Sequence, residues 1–140
     1  MTVKKVVVDT DIMLEHLLGS GRALSKESPS FLRRLMSECF CYTTVFNAIE
    51  LFSLCKTSRE TAAVEKSLYA MKILGLNSKS AKNIGPLVGF ARAKRTRDID
   101  TLVAGLCIES RLPLVTNSKG RYSGMRGLEV VSAGKLLKNH

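Results

Sequence analysis

Three acidic residues stand where an acid needs a reason. Asp9 follows Val6-Val7-Val8, a β-branched run with no polar alternation. Such a run reads as a strand buried on both faces, which places Asp9 at its carboxyl end. Glu50 stands among Val45, Phe46, Ala48, Ile49, Leu51, Phe52, Leu54 and Cys55. On a helix that apolar, a glutamate is costly unless it is paired or binds a cation. The other reading is a narrow solvent stripe shared with Asn47 and Ser53. Asp100 lies in the first turn of a third apolar stretch, where the helix dipole favours an acid. Acids scattered along a chain but gathered at one crevice can hold Mg²⁺ or Mn²⁺, which take oxygen ligands. Such a cation relieves the repulsion between carboxylates. It can also activate water and neutralise phosphate in an in-line displacement. Asp11 and Asp98 have plainer readings: Asp11 favours a helix N-terminus, and Asp98 has the position of an N-cap.

These acids need elements to position them. A strand from Val3 to Val8 leads into a helix from Asp11 to Leu18, which Gly19 and Gly21, bracketing Ser20, bring to an end. Ser28 before Pro29 reads as an N-cap with Pro at the first helical position. A second strand spans Cys39 to Thr43. Thr44 then opens the helix Val45 to Cys55, whose nearly uniform apolar character predicts that it is largely buried. Thr57 and Glu60 fit a capping box for a helix running to about Leu74. The two helices, Thr44 to Cys55 and Arg59 to Leu74, form a helical hairpin projecting from the sheet. The helix from Ser78 to about Lys94 carries Gly85-Pro86, where a kink or break is expected. Asp98 to Ser110 is a helix with Ile99, Leu102, Val103 and Leu106 as its core stripe. Strands at Leu112 to Thr116 and Leu128 to Val131 and a short helix from Ala133 to Lys138 complete the chain. Strands alternating with helices predict an α/β domain with a parallel sheet of four to five strands and helices on both faces. The strand order is not deducible from the pattern. In open sheets of this kind, ligand sites form beyond the carboxyl ends of the strands.

A length of 140 residues predicts one domain. The net charge of +10 favours polyanionic partners: nucleic acid, an acidic protein or an anionic membrane surface. Arg92, Lys94, Arg95 and Arg97 cluster just before Asp98, and Lys119 and Arg121 lie in a basic loop reaching Arg126. These are candidates for phosphate contacts, and each reads equally well as solvated surface. No apolar run is long enough for a membrane span, and the N-terminus has no signal-peptide core, so a cytoplasmic protein is expected. Cys39, Cys41, Cys55 and Cys107 show no metal-binding spacing and read as reduced, buried thiols. His16 and His140 are isolated, and a metal-ligand role is not expected of them.

The segments VVVDTDIML, NAIELFSL and DIDTLVAGLCIESRLPLVTN, taken in order, resemble the PIN-domain ribonucleases, closest to the VapC-type toxins of toxin–antitoxin pairs. The resemblance spans Val3 to about Val131. It implies a compact PIN-like α/β domain and a metal-dependent endoribonuclease in which Asp9, Glu50 and Asp100 bind Mg²⁺ or Mn²⁺. Asp98 is a candidate fourth acid. Thr10 and Thr116 would position waters or carboxylates, with Asn117 and Ser118 as supporting polar residues. Ser118 stands where the family often has an acid or Asn, and Tyr122 replaces the usual Phe. Family members commonly form homodimers and are neutralised by a small antitoxin protein, so RNA, an antitoxin and a second copy are the implied partners. Two other readings compete: a PIN-like module that binds RNA or protein without cutting, and a haloacid-dehalogenase-like phosphatase with Asp9 as nucleophile and Asp11 as acid/base.

Overall fold

In the computed structural model, which describes residues 4–19 and 29–138, five strands form one all-parallel sheet. They are β1 (Lys4–Val8), β2 (Cys39–Thr44), β3 (Lys72–Leu74), β4 (Leu114–Val115) and β5 (Val130–Val131), in the order β3-β2-β1-β4-β5. The helices are α1 (Thr10–Gly19), α2 (Phe31–Glu38), α3 (Val45–Ser53), α4 (Ser58–Tyr69), α5 (Ser78–Ala93), α6 (Asp98–Ser110) and α7 (Ala133–Lys138). The architecture is the expected one, with the maximum expected number of strands.

The valine run is buried on both faces, as its lack of alternation predicts. Val6 and Val8 point to a layer built by Ile12 and Met13 of α1, Leu32 and Leu35 of α2, Ala48 and Leu51 of α3, Val64 and Leu68 of α4, and Leu136 and Leu137 of α7. Val7 points the other way, to Val103, Ala104 and Cys107 of α6, Leu114 and Tyr122. Cys39 and Cys41 share one buried face of β2 and are free thiols, as is buried Cys107. Burial pushes the thiols of Cys41 and Cys107 up to about 12, so both are inert at neutral pH.

The order of strands decides where a site forms. From β1 the chain moves outward through β2 and β3, then returns to build β4 and β5 on the other side of β1. The connections therefore diverge at the carboxyl ends of β1 and β4, and this switch point opens a crevice.

Several expectations need correction. The helix expected to reach Leu74 ends at Tyr69, and Lys72–Leu74 pairs with Tyr42–Thr44 as an edge strand. Three residues are too few for periodicity to separate strand from helix. The last two strands are shorter than expected, two residues each. The expected N-cap at Ser28 lies outside the described residues, as do Val3, Ser20, Gly21 and His140. The observed cap of α2 is Ser30, which accepts from the Arg33 amide at 3.1 Å and also bonds His16 Nδ1 at 2.6 Å. Helix α5 runs through Pro86 without a break. Helix α3 is less buried than its composition suggests: Ile49 and Phe52 are exposed, and so is Leu54 just beyond it. In α6 the buried positions are Asp100, Thr101 and Val103 to Cys107, while Ile99 and Leu102 are only half-buried. Three capping boxes are present among the described residues: the expected Thr57 with Glu60, and unforeseen ones of Thr44 with Asn47 and of Asn77 with Ser80.

Candidate active site

Asp9 leaves β1 at the switch point and is fully buried. Four donors saturate it. Oδ1 accepts from the Thr10 amide at 2.9 Å and from Asn47 Nδ2 at 3.0 Å. Oδ2 accepts from the Thr116 hydroxyl and the Tyr122 hydroxyl, each at 2.9 Å. Burial raises the Asp9 pKa above the ordinary carboxylate value, and the bonds from Thr10, Thr116 and Tyr122 oppose that rise. Burial and the neighbouring Asp9 carboxylate also push the Tyr122 phenol up, so it stays a neutral donor.

Thr10 links the first acid to the second. Its amide serves Asp9 while its hydroxyl donates to Glu50 Oε1 at 2.7 Å and accepts from Asn47 Nδ2 at 2.8 Å. Asn47 is fully buried, so the proposed solvent stripe of Asn47, Glu50 and Ser53 does not exist. Asn47 and Glu50, one helical turn apart on α3, both face the end of β1, and the Glu50 side chain is 22% exposed.

Arg97 links the second acid to the third. Its fork grips Asp100 through Nε at 3.0 Å and Nη2 at 2.8 Å, and Nη2 also lies 3.6 Å from Glu50 Oε2. Arg121 grips Asp100 from the other side. Burial acts to raise the Asp100 pKa, but the two guanidinium groups outweigh it and hold the group below its ordinary value. The same pairing raises the Arg121 pKa against the effect of its own burial. Thr10, Asp11, Leu14, Glu50, Leu54, Arg97 and Arg121 line an open crevice of about 440 Å³ above these groups.

Asp11 does more than favour the start of α1. It accepts from the Asn117 amide at 2.8 Å and the Ser118 hydroxyl at 3.0 Å, and Thr116 Oγ1 lies 3.2 Å from each of its oxygens. It thereby latches the loop after β4 onto the end of β1. The Asn117 side chain instead accepts from the Ala133 amide at 3.2 Å, at the start of α7. Asp98 is neither the N-cap of α6, which is Arg97, nor placed with the other acids: it is the first helical residue and pairs with Arg92 at 2.7 Å. Among the phosphate candidates, Arg92, Arg97 and Arg121 are thus in ion pairs, and Lys94 lies 4.7 Å from the Phe90 ring centre. Arg95 and Lys119 are exposed.

The sequence reading missed Asn47 and the roles of Tyr122 and Asp11. A polar Asn inside an apolar helix, one turn before Glu50, was a usable signal for the first. No local pattern shows that a tyrosine hydroxyl more than a hundred positions away reaches Asp9.

Asp9, Glu50 and Asp100 fit a hard divalent cation in donor type, since all three offer carboxylate oxygens. Among the described residues, no three Asp, Glu, His or Cys side chains are arranged as they stand to hold a metal ion. The positive charge between Glu50 and Asp100 is the Arg97 guanidinium.

No family model matches the sequence, and comparison with curated proteins finds no match. Solved structures do match. VapBC2 from Rickettsia felis, bound to a DNA fragment from its promoter, aligns with a TM-score of 0.74 at 16% identity, covering 91% of this chain and 98% of that one. DNA-bound VapBC from Salmonella typhimurium aligns at 0.73 and 18% identity, covering 94% and 99%. VapBC-5 from Mycobacterium tuberculosis, a member of the VapBC family of toxin–antitoxin systems, aligns at 0.58 and 19% identity, covering 91% and 98%. At these identities the likeness is one of fold, and the chain has the PIN-like fold of VapC-type toxin components.

Proposed function

We propose that this protein is a metal-dependent endoribonuclease, the toxin of a toxin–antitoxin pair. The observation that carries the reading is the convergence of Asp9, Glu50 and Asp100, joined through Thr10 and Arg97, at the switch point of the sheet. The PIN-like fold and the assembly of the matched structures as toxin–antitoxin systems support it. Glu50 and Asp100 would hold Mg²⁺ or Mn²⁺, with Asp9 behind them as a further ligand or as the fixed charge that orients them. The bound cation supplies Lewis acidity and a water of lowered pKa. Thr10 orients Glu50, Asn47 and Thr116 orient Asp9, and Arg97 and Arg121 stand ready to take phosphate oxygens. Arg92, Lys94, Arg95 and Lys119 extend positive charge outward for an RNA backbone; the Arg92–Asp98 pair is exposed and screened by solvent, and exchanges readily for phosphate. An antitoxin and a second copy of the chain are the proposed protein partners, and the cytoplasm the proposed location.

The phosphatase reading has little support, because Asp9 is buried with both oxygens already bonded and Asp11 is bound into the loop after β4. A silent binding module is the reading that remains beside the nuclease. The test is cleavage of a mixed single-stranded RNA pool by purified protein with Mg²⁺ or Mn²⁺, beside Asp9→Asn. The nuclease reading expects metal-dependent cutting that the variant loses. Salt-sensitive binding without cutting by either protein would favour the module.

A further inference from the structure

The two arginines at Asp100 have a consequence for how the site fills. Asp100 is 3% exposed, yet it receives both guanidinium groups: Arg97 through two bonds and Arg121 through a second fork. Arg97 also reaches Glu50, so these two acids are matched one for one by two fixed cations. A divalent cation binding Glu50 and Asp100 must take the Asp100 lone pairs that the guanidinium groups now occupy. Once it has done so, the two guanidinium groups are left without their carboxylate partner. Both arginines sit at its wall, and Arg97 is the more exposed of the two, so both have room to turn outward. A phosphodiester is the ligand whose charge and forked oxygens suit them.

We propose that Arg97 and Arg121 form a built-in clamp on Asp100 that yields to a divalent cation and passes to the nucleic-acid phosphate, so that metal and nucleic acid bind cooperatively. The proposal rests on the reading of these acids as a metal site. It makes the two arginines positioning residues, with metal affinity kept low until the backbone arrives. Reciprocity requires each ligand to tighten the other by the same factor.

The test is Mn²⁺ binding, read from the electron paramagnetic resonance signal of the free aqueous ion, with and without a mixed single-stranded oligodeoxynucleotide pool as the phosphate probe. Arg97→Gln and Arg121→Gln are expected to bind Mn²⁺ alone about 10-fold tighter than the unaltered protein, the scale on which residues behind metal ligands act. Arg97→Lys keeps the charge and loses the fork, and it is expected to fall between them. Lys82→Gln, which removes one positive charge from the exposed side of α5, is expected to match the unaltered protein. Adding the oligonucleotide should tighten Mn²⁺ binding in the unaltered protein and leave Arg97→Gln/Arg121→Gln unmoved. Equal Mn²⁺ affinity in Arg97→Gln, Arg121→Gln and Lys82→Gln, or no effect of the oligonucleotide on the unaltered protein, would overturn the clamp and leave the metal site standing. No Mn²⁺ binding by any of the proteins at millimolar concentration would remove both.

Discussion

Asp9 is a buried charge held by neutral donors, and its partners set what a substitution can do. Thr10 N–H and Asn47 Nδ2 can only donate, so an Asn at position 9 would turn its oxygen toward them. Its amide nitrogen would then face Thr116 and Tyr122, whose hydroxyls can accept as well as donate. Asp9→Asn is therefore expected to fold and to melt no lower than the unaltered protein at neutral pH, while losing metal-dependent cleavage; a marked fall in melting temperature would contradict the hydrogen-bond assignment. Asp9 and Asp100 have opposite pH signs. The Asp9 pKa is raised in the fold, so the cost of its ionised form disappears as pH falls through that raised value. The Asp100 pKa is lowered, so its contribution is present above the ordinary value of 3.8 and is lost as pH falls through the lowered one. Denaturant midpoints followed downward from neutral pH should thus fall less steeply at the acid end in Asp100→Asn than in the unaltered protein. Asp11→Ala removes the acceptor for the Asn117 amide and the Ser118 hydroxyl, at an expected cost of about 1–3 kcal/mol by chemical denaturation. At this scale Asp9 and Glu50 stood out because each broke a local pattern, whereas Asp100 sits where a helix start favours an acid and stood out only through the order of the three acidic segments. Asn47 and Tyr122 were not read as Asp9 donors, because those bonds exist only once β2, α3 and the loop after β4 have met at β1.

Elements were legible where a pattern had length. The valine strand, the Thr57–Glu60 box and the thirteen-residue helix α6 follow their residues closely. Strand β3 was hidden because three residues carry no period and its partner β2 is distant in the chain. Burial was harder to read than structure: α3 is apolar nearly all round, yet Ile49 and Phe52 lie on its open side. The small residues of α6 had the role their size suggests. A Cβ on Gly105 would lie 2.9 Å from both Ile84 Cγ1 and Ile84 Cγ2 of α5. Those atoms sit at the branch of the side chain and cannot swing clear, so Gly105→Ala is expected to cost about 1–3 kcal/mol. Because α6 carries Asp100, the same variant should also weaken Mn²⁺ binding. A variant as stable as the unaltered protein would mean that α5 and α6 are not packed as described.

The whole molecule joins an acid-lined crevice to a strongly basic surface, with a net charge of +10. The class of fold followed from the alternation of strands and helices, whereas the strand order that makes the crevice lay beyond local pattern. Binding of single-stranded RNA should weaken steeply with salt, with a slope of about −0.7 for each phosphate neutralised. Glutamine at both Arg95 and Lys119 should reduce that slope by roughly 1 to 1.5 without changing the melting temperature; an unchanged slope would place the RNA on another face. The proposed nuclease requires Asp9, Glu50 and Asp100 together to make a cation site. The most direct test is anomalous diffraction from crystals grown with Mn²⁺. An anomalous peak is expected within ligand distance of Glu50 and Asp100, with the Arg97 fork withdrawn from Asp100. Crystals that show Arg97 and Arg121 still closed on Asp100, with no peak at the crevice in high Mn²⁺, would contradict it.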